Sequence, residues 1–258
     1  MCVRLWLCVV AIVGLWCGCA AAGEQAPAEV KQAAEKARLK LAALEAQGAK
    51  WQVHWSDKTG LPRMIYGDKS KPHAGSVEDA ARAFIGESAD LLGVPADAAV
   101  AQPAPAAKSA AEVGQAGQPA VPAEPVALEF RKTRETGMAV GTRVSFQQYH
   151  RGIPVFEAEL DVCTDAAGAV WHVTSTIHPK ISVEVPPAGQ LTGLGEWQRK
   201  QDDATVKGEP ELVIFPDGPG KPAWKFQCTF GGTKGLWRMV IDARTGDVLR
   251  KTHLMLAD

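Results

Sequence analysis

Val140–Thr176 reads VGTRVSFQQYHRGIPVFEAELDVCTDAAGAVWHVTST. Within it Phe156, Ala158, Leu160 and Val162 alternate with Glu157, Glu159 and Asp161. A repeat of two places one set of side chains on a packed face and the other on a wet one, as in a half-buried strand. Gly152-Ile153-Pro154 and Asp165-Ala166-Ala167-Gly168 break the run at turn-forming residues. The stretch therefore predicts three strands, roughly 140–149, 154–163 and 169–176, in an antiparallel meander.

Upstream, Trp51-Gln-Val-His-Trp55 alternates, Ser56 to Gly60 turns the chain, and Leu61 to Tyr66 returns, which predicts a hairpin. Pro62 lacks an N–H and places the return strand at a sheet edge. Ser76 caps a helix running to about Leu92, with Asp79 completing a capping box. Its apolar residues, from Val77 through Phe84 and Ile85 to Leu92, cover the sheet. Residues 24–50 are rich in Ala, Lys, Glu, Leu and Gln and predict a helix, either docked on a sheet or serving as a spacer over 23–50. Residues 101–125 turn to Ala, Pro, Gln and Gly and are expected to be a disordered insertion, because sheet-like sequence resumes at Ala127-Leu-Glu-Phe130. Downstream, a short helix near 191–204 precedes strands at Glu211–Phe215, Pro222–Phe230, Leu236–Ile241 and Asp247–Arg250. These form a second small α+β unit whose sheet either continues the first or stands apart.

The N-terminus carries Arg4 before an apolar run from Leu5 to Trp16, too short for a mature bilayer span and suited to an export signal within 1–22. Cys19 after Gly18 is a candidate lipidation site, and Ala20-Ala21-Ala22 offers an ordinary cleavage site instead. The expected location is extracellular, periplasmic or lipid-anchored in the envelope, with contact to a membrane only through such an anchor. Beyond the signal region only Cys163 and Cys228 remain. Export permits a disulfide between them, while the apolar spacing Trp224-x-Phe226-x-Cys228-x-Phe230 equally suits buried free thiols. A formal net charge of −1 argues against a dedicated nucleic-acid surface.

Catalytic chemistry finds little support. The six histidines include no pair at i and i+4 in a helix, so no metal site is expected. No Gly-x-Ser-x-Gly elbow marks a nucleophile, and Asp161 and Asp165 would raise the Cys163 thiol pKa. Glu157, Glu159 and Asp161 are read as a solvated strand face rather than a carboxylate pair. No cofactor is expected. Arg143, Gln147 and Tyr149 share one strand face, either holding hydrogen bonds to the turn at 152–154 or meeting a partner. Trp237 reads as a core or interface anchor, and Asp242 as a turn-former acting on nearby amides, with Gly246 closing the turn.

Residues from about 51 to 254 resemble the propeptide region of secreted thermolysin-like and fungalysin-like metalloproteases. The pieces are Trp51-x-x-x-Trp55 with Thr59-Gly60-x-Pro62-Arg63, Ala80–Ile85, Arg143–Tyr149 with Gly152-Ile-Pro154-Val-Phe156, Leu212–Ile214, and Trp237–Leu249. The resemblance implies an α+β fold of two cystatin-like or PepSY-like units, each an antiparallel sheet packed by helix. It implies a fungalysin/thermolysin propeptide domain at 51–180 and a PepSY-like domain at 181–258. It also implies a structural or partner-binding role for Arg143, Gln147, Tyr149, Gly152, Pro154, Trp237, Asp242 and Gly246. Family propeptides assist the folding of their protease and inhibit it. The sequence contains no HExxH zinc helix, so the expectation is a non-enzyme: either a free-standing relative that inhibits or chaperones a secreted zinc metalloprotease in trans, or one whose role has drifted. The alternative is an envelope-associated structural or binding module.

Overall fold

The computed structural model describes residues 28–46, 48–94, 129–231 and 235–254. The expected export signal, Cys19 and the expected 101–125 insertion lie outside them. The quoted stretch forms β4 (Gly141–His150), β5 (Ile153–Thr164) and β6 (Val170–Ser175), each paired antiparallel with the next. Arg151 and Gly152, at φ 49° and 79°, make the two-residue turn between β4 and β5. Two successive positive φ values match the twist of the flanking strands, and Gly152 accommodates one of them without strain.

The hairpin β1 (Trp51–Trp55) and β2 (Pro62–Gly67) adds to β6, and β3 (Glu129–Met138) adds to β4. This gives the antiparallel order β1-β2-β6-β5-β4-β3. Helices α2 (Val77–Glu87) and α3 (Ala89–Leu92) cover one face. Phe84, Ile85, Leu91 and Leu92 pack there on Ile65, Phe146, Leu160 and Val173. Ser76 and Asp79 form the expected capping box. Helix α1 (Ala28–Glu45) is docked, since Ala37 is fully buried and Leu41 and Leu44 pack on the same core.

The second part begins with α4 (Gly193–Lys200), followed by β7 (Ala204–Phe215), β8 (Lys221–Phe230), β9 (Leu236–Asp242) and β10 (Val248–Leu254). These strands lie in the order β7-β8-β9-β10. Trp197 of α4 packs on Phe226, Cys228, Met239 and Ile241. The sheet continues the first one: Val155 of β5 pairs in parallel with Ile214 of β7. The architecture is thus α+β with one mixed sheet path, packed by helices at both ends.

Several expectations change. Pro62 is not on an edge strand; β1 holds the edge, and Pro62 is tolerated as the first residue of β2, ahead of the Met64–Tyr66 pairing with β6. The segment near 191–204 is helical only to Lys200, and β7 starts at Ala204, earlier than its apolar end suggests. The Cys163–Cys228 bridge is not made: both thiols are free and buried, Cys163 on β5 and Cys228 in the α4 cluster.

Candidate partner-binding surface

Between Gln147↔Glu159 and Tyr149↔Pro154 the β4–β5 register slips, leaving Val155–Ala158 bulged opposite the single residue Gln148. Glu157 takes φ 53° within the bulge, a left-handed conformation unusual for a residue with a Cβ. The bulge sends consecutive apolar residues in different directions. Val155 packs with Ala158, Ile181 and Ile214. Phe156 packs with Val213, Ala223 and Val240, and its ring stacks on Phe215 at 5.9 Å.

A bulge of this size frees backbone carbonyls that the ladder would have paired. Gln147 answers them. Its side-chain nitrogen donates to the carbonyls of Val155 at 2.6 Å, Ala158 at 3.0 Å and Gln148 at 3.0 Å, two hydrogens shared among three acceptors. From the other side the Thr176 hydroxyl donates to Glu157 O at 2.7 Å and accepts from Glu159 N at 2.9 Å. Gln148 is fully buried and grips the backbone of His178, donating to its carbonyl and accepting from its amide, each at 2.8 Å.

The bulge borders a groove of about 670 Å³ where the two parts of the sheet meet. Gln147, Tyr149 and Pro154 line one side, and Lys207, Lys225 and Arg238 the other. Its charges are mixed: Glu211 pairs with Lys225 at 2.6 Å, and Glu157 at the rim pairs with Arg250 at 2.5 Å. Arg131 sits over the Tyr149 ring at 4.3 Å. A groove of this composition has hydrogen-bonding and charged groups for a polypeptide. Among the described residues no three His, Cys, Asp or Glu come together as a metal site. Burial raises the Cys163 thiol pKa, and the Arg143 hydrogen bond offsets this only in part.

The remaining sequence candidates fall elsewhere. Arg143 faces Cys163 of β5, four pairs from the Gln147↔Glu159 pair that borders the bulge, and does not reach the 152–154 turn. Trp237 lies on the α4 side of its sheet, edge-on to the His253 ring at 4.6 Å and under the Lys251 ammonium at 4.3 Å. Asp242 forms its turn as expected, its Oδ1 accepting from Arg244 N at 2.8 Å and Thr245 N at 3.1 Å. Gly246 closes that turn against the start of α4, where an added Cβ would sit 2.5 Å from Gly193 O. Thr176 and Gln148 escaped the sequence reading. Their only sign was a run of polar residues at the ends of otherwise apolar strands.

Residues 129–177, spanning β3 to β6, match the family described as Fungalysin/Thermolysin Propeptide Motif. The match contains the bulge and Gln147 and stops before β7. No curated protein matches the chain. Among solved structures, the Bacillus megaterium YpeB C-terminal domain is similar at 12% identity and a TM-score of 0.33, over 88% of this chain and 97% of that one. A likeness so distant carries no argument about function.

Proposed function

We propose that this is an exported, non-catalytic propeptide-like protein that binds a secreted zinc metalloprotease and inhibits it or assists its folding. In this reading 51–180 is the propeptide-like part and 181–258 a PepSY-like part. One observation carries the proposal: the matched segment 129–177 builds one wall of the groove through the Gln147-supported bulge. The mixed charge and open shape of the groove suit a protein surface better than a small substrate.

The test is a titration of the exported protein against secreted thermolysin-like proteases of the same organism, with refolding of the denatured protease in parallel. Stoichiometric inhibition or an increased refolding yield is expected. A chain that neither slows any of these proteases nor raises its recovery would overturn the reading. Charge reversal at Lys225 and Arg238 together should weaken binding while leaving the melting temperature nearly unchanged, because both side chains lie at the groove surface.

A further inference from the structure

Helices cover one face of the β1–β6 part of the sheet; the opposite face carries a different set of side chains. Register places Arg143, Cys163 and His172 side by side across β4, β5 and β6. The next row on the same face is Ser145, Asp161 and Thr174. Four polar atoms here are buried without a hydrogen-bond partner among the described residues: Arg143 Nε, Ser145 Oγ, Asp161 Oδ1 and Trp171 Nε1. Ser145 itself is only 3% exposed. Leaving such a group unpaired is costly, and native proteins satisfy nearly all of them. Four on neighbouring strands, offering both donors and acceptors, suit a ligand that brings both.

Beside them runs a row of rings. The β5–β6 register slips at Cys163, so Trp171 and His172 turn to the same side while Val170 and Val173 stay in the core. Ring centroids follow across β6, β2 and β1: Trp171 to His172 at 5.6 Å, His172 to Tyr66 at 6.5 Å, and Tyr66 to His54 at 5.7 Å. Met64 and Met138, whose Sδ lies 4.0 Å from Cys163 Sγ, add non-aromatic hydrophobic side chains beside Cys163.

The chemistry narrows the ligand. A hydrophobic protein interface lacks its apolar centre here. An anion would meet Asp161 and a cation would meet Arg143, and no three metal ligands converge among the described residues. Burial, aided by Arg143, lowers the His172 pKa and leaves that ring uncharged at neutral pH. A sugar ring meets each demand: its hydroxyls both donate and accept, and its C–H face lies flat on aromatic rings. We propose that this sheet face, opposite the helices, is a binding site for a neutral glycan, formed by Arg143, Ser145 and Asp161 beside the Trp171–His172–Tyr66 platform. The site adjoins the groove, whose lining residues Gln147 and Glu159 form the next row on the same face, but its argument does not rest on the protease reading.

The test is calorimetric titration of the full exported chain with neutral chito-, cello-, malto- and xylo-hexasaccharides, with tryptophan fluorescence as a second readout. Saturable binding of at least one of them is expected, little affected by added salt. Asp161→Asn and Ser145→Ala should each weaken it, Asp161→Asn by about tenfold or more, the size expected for a lost hydrogen bond to a charged group. Glu211→Gln, in the groove, should leave it unchanged. Trp171→Ala should abolish it; if that variant fails to fold, Ser145→Ala, which removes a single oxygen, decides. Failure of every hexasaccharide to bind would overturn the proposal, as would binding that Asp161→Asn and Ser145→Ala leave intact.

Discussion

Gln147 is the residue on which the groove wall depends. Its amide nitrogen serves three carbonyls, two of them in the β5 bulge, so Gln147→Ala leaves buried acceptors without donors. A loss of about 1–3 kcal/mol is expected, read as a lower urea midpoint with an unchanged slope. Gln147→Glu should be worse, because a carboxylate would face those same oxygens. Gly246 makes a different demand. At φ 76° it sits where an added Cβ would lie 2.5 Å from Gly193 O and 2.9 Å from Trp197 N, backbone that cannot swing aside. Gly246→Ala should therefore cost more than the roughly 1–2 kcal/mol of the left-handed conformation alone, with a lower melting temperature as the measure. The sequence left Gln147 between hydrogen bonding to the 152–154 turn and meeting a partner, and read Asp242 as a turn-former, which its hydrogen bonds to Arg244 N and Thr245 N match. It misplaced the target of Gln147 because a bulge leaves a weak mark in a period-two pattern: the only sign is the adjacent pair Val155-Phe156.

At the scale of elements, α2 is fixed at its start by a capping box and along its side by charge. Ser76→Ala should remove about 1 kcal/mol, detectable by urea unfolding. Glu78 on α2 lies 2.9 Å from Arg82 and 3.0 Å from Lys132, tying the helix to β3. Burial pushes the Glu78 pKa up, but the hydrogen bonds from Lys132 and Arg82 outweigh it and hold the carboxyl below its ordinary value. A folded-state pKa below the unfolded one means that the stabilisation is full above the unfolded value, about 4.3, and is lost as pH falls through the folded one. Glu78→Gln should thus lower stability at pH 7 and converge with the unaltered protein in acid, as followed by unfolding curves from pH 7 to 2.5. The meander, the first hairpin and the capped helix were legible because their local signals agree with their packing. The length of β7 was not. Its first half alternates charged residues around a register break between Lys207 and Glu211, and it takes its place by pairing with β8. Nor did Pro62 reveal its neighbour: the missing N–H falls before the residues that β6 needs.

For the whole molecule, the question is how the two parts of the sheet hold together. The backbone contributes little, a single parallel pair at Val155 and Ile214. Side chains contribute more. Consecutive residues of the bulge clamp β7, Val155 against Ile214 and Phe156 against Val213, and Gln148 pins the connecting segment at His178. Removing the clamp on one side tests whether it makes the chain unfold as one body. Phe156 is 7% exposed, so Phe156→Ala should cost about 3–5 kcal/mol of packing. Because that packing belongs to neither the α1–α3 core nor the α4 cluster, its loss should uncouple them. Calorimetry is expected to resolve one transition in the unaltered protein and two in the variant. Hydrogen exchange should accelerate in β7 and at the start of β5, with the Phe84 and Trp197 neighbourhoods still protected. Phe226→Ala, which empties the α4 cluster instead, should lower the melting temperature without that spread of exchange. A single transition in Phe156→Ala would show that the clamp does not set the cooperativity. The same joint lies along the groove, whose walls come from both parts. Under the proposed function, Phe156→Ala should also weaken binding of the protease at temperatures where both parts remain folded, a loss that calorimetry on the free protein separates from simple unfolding.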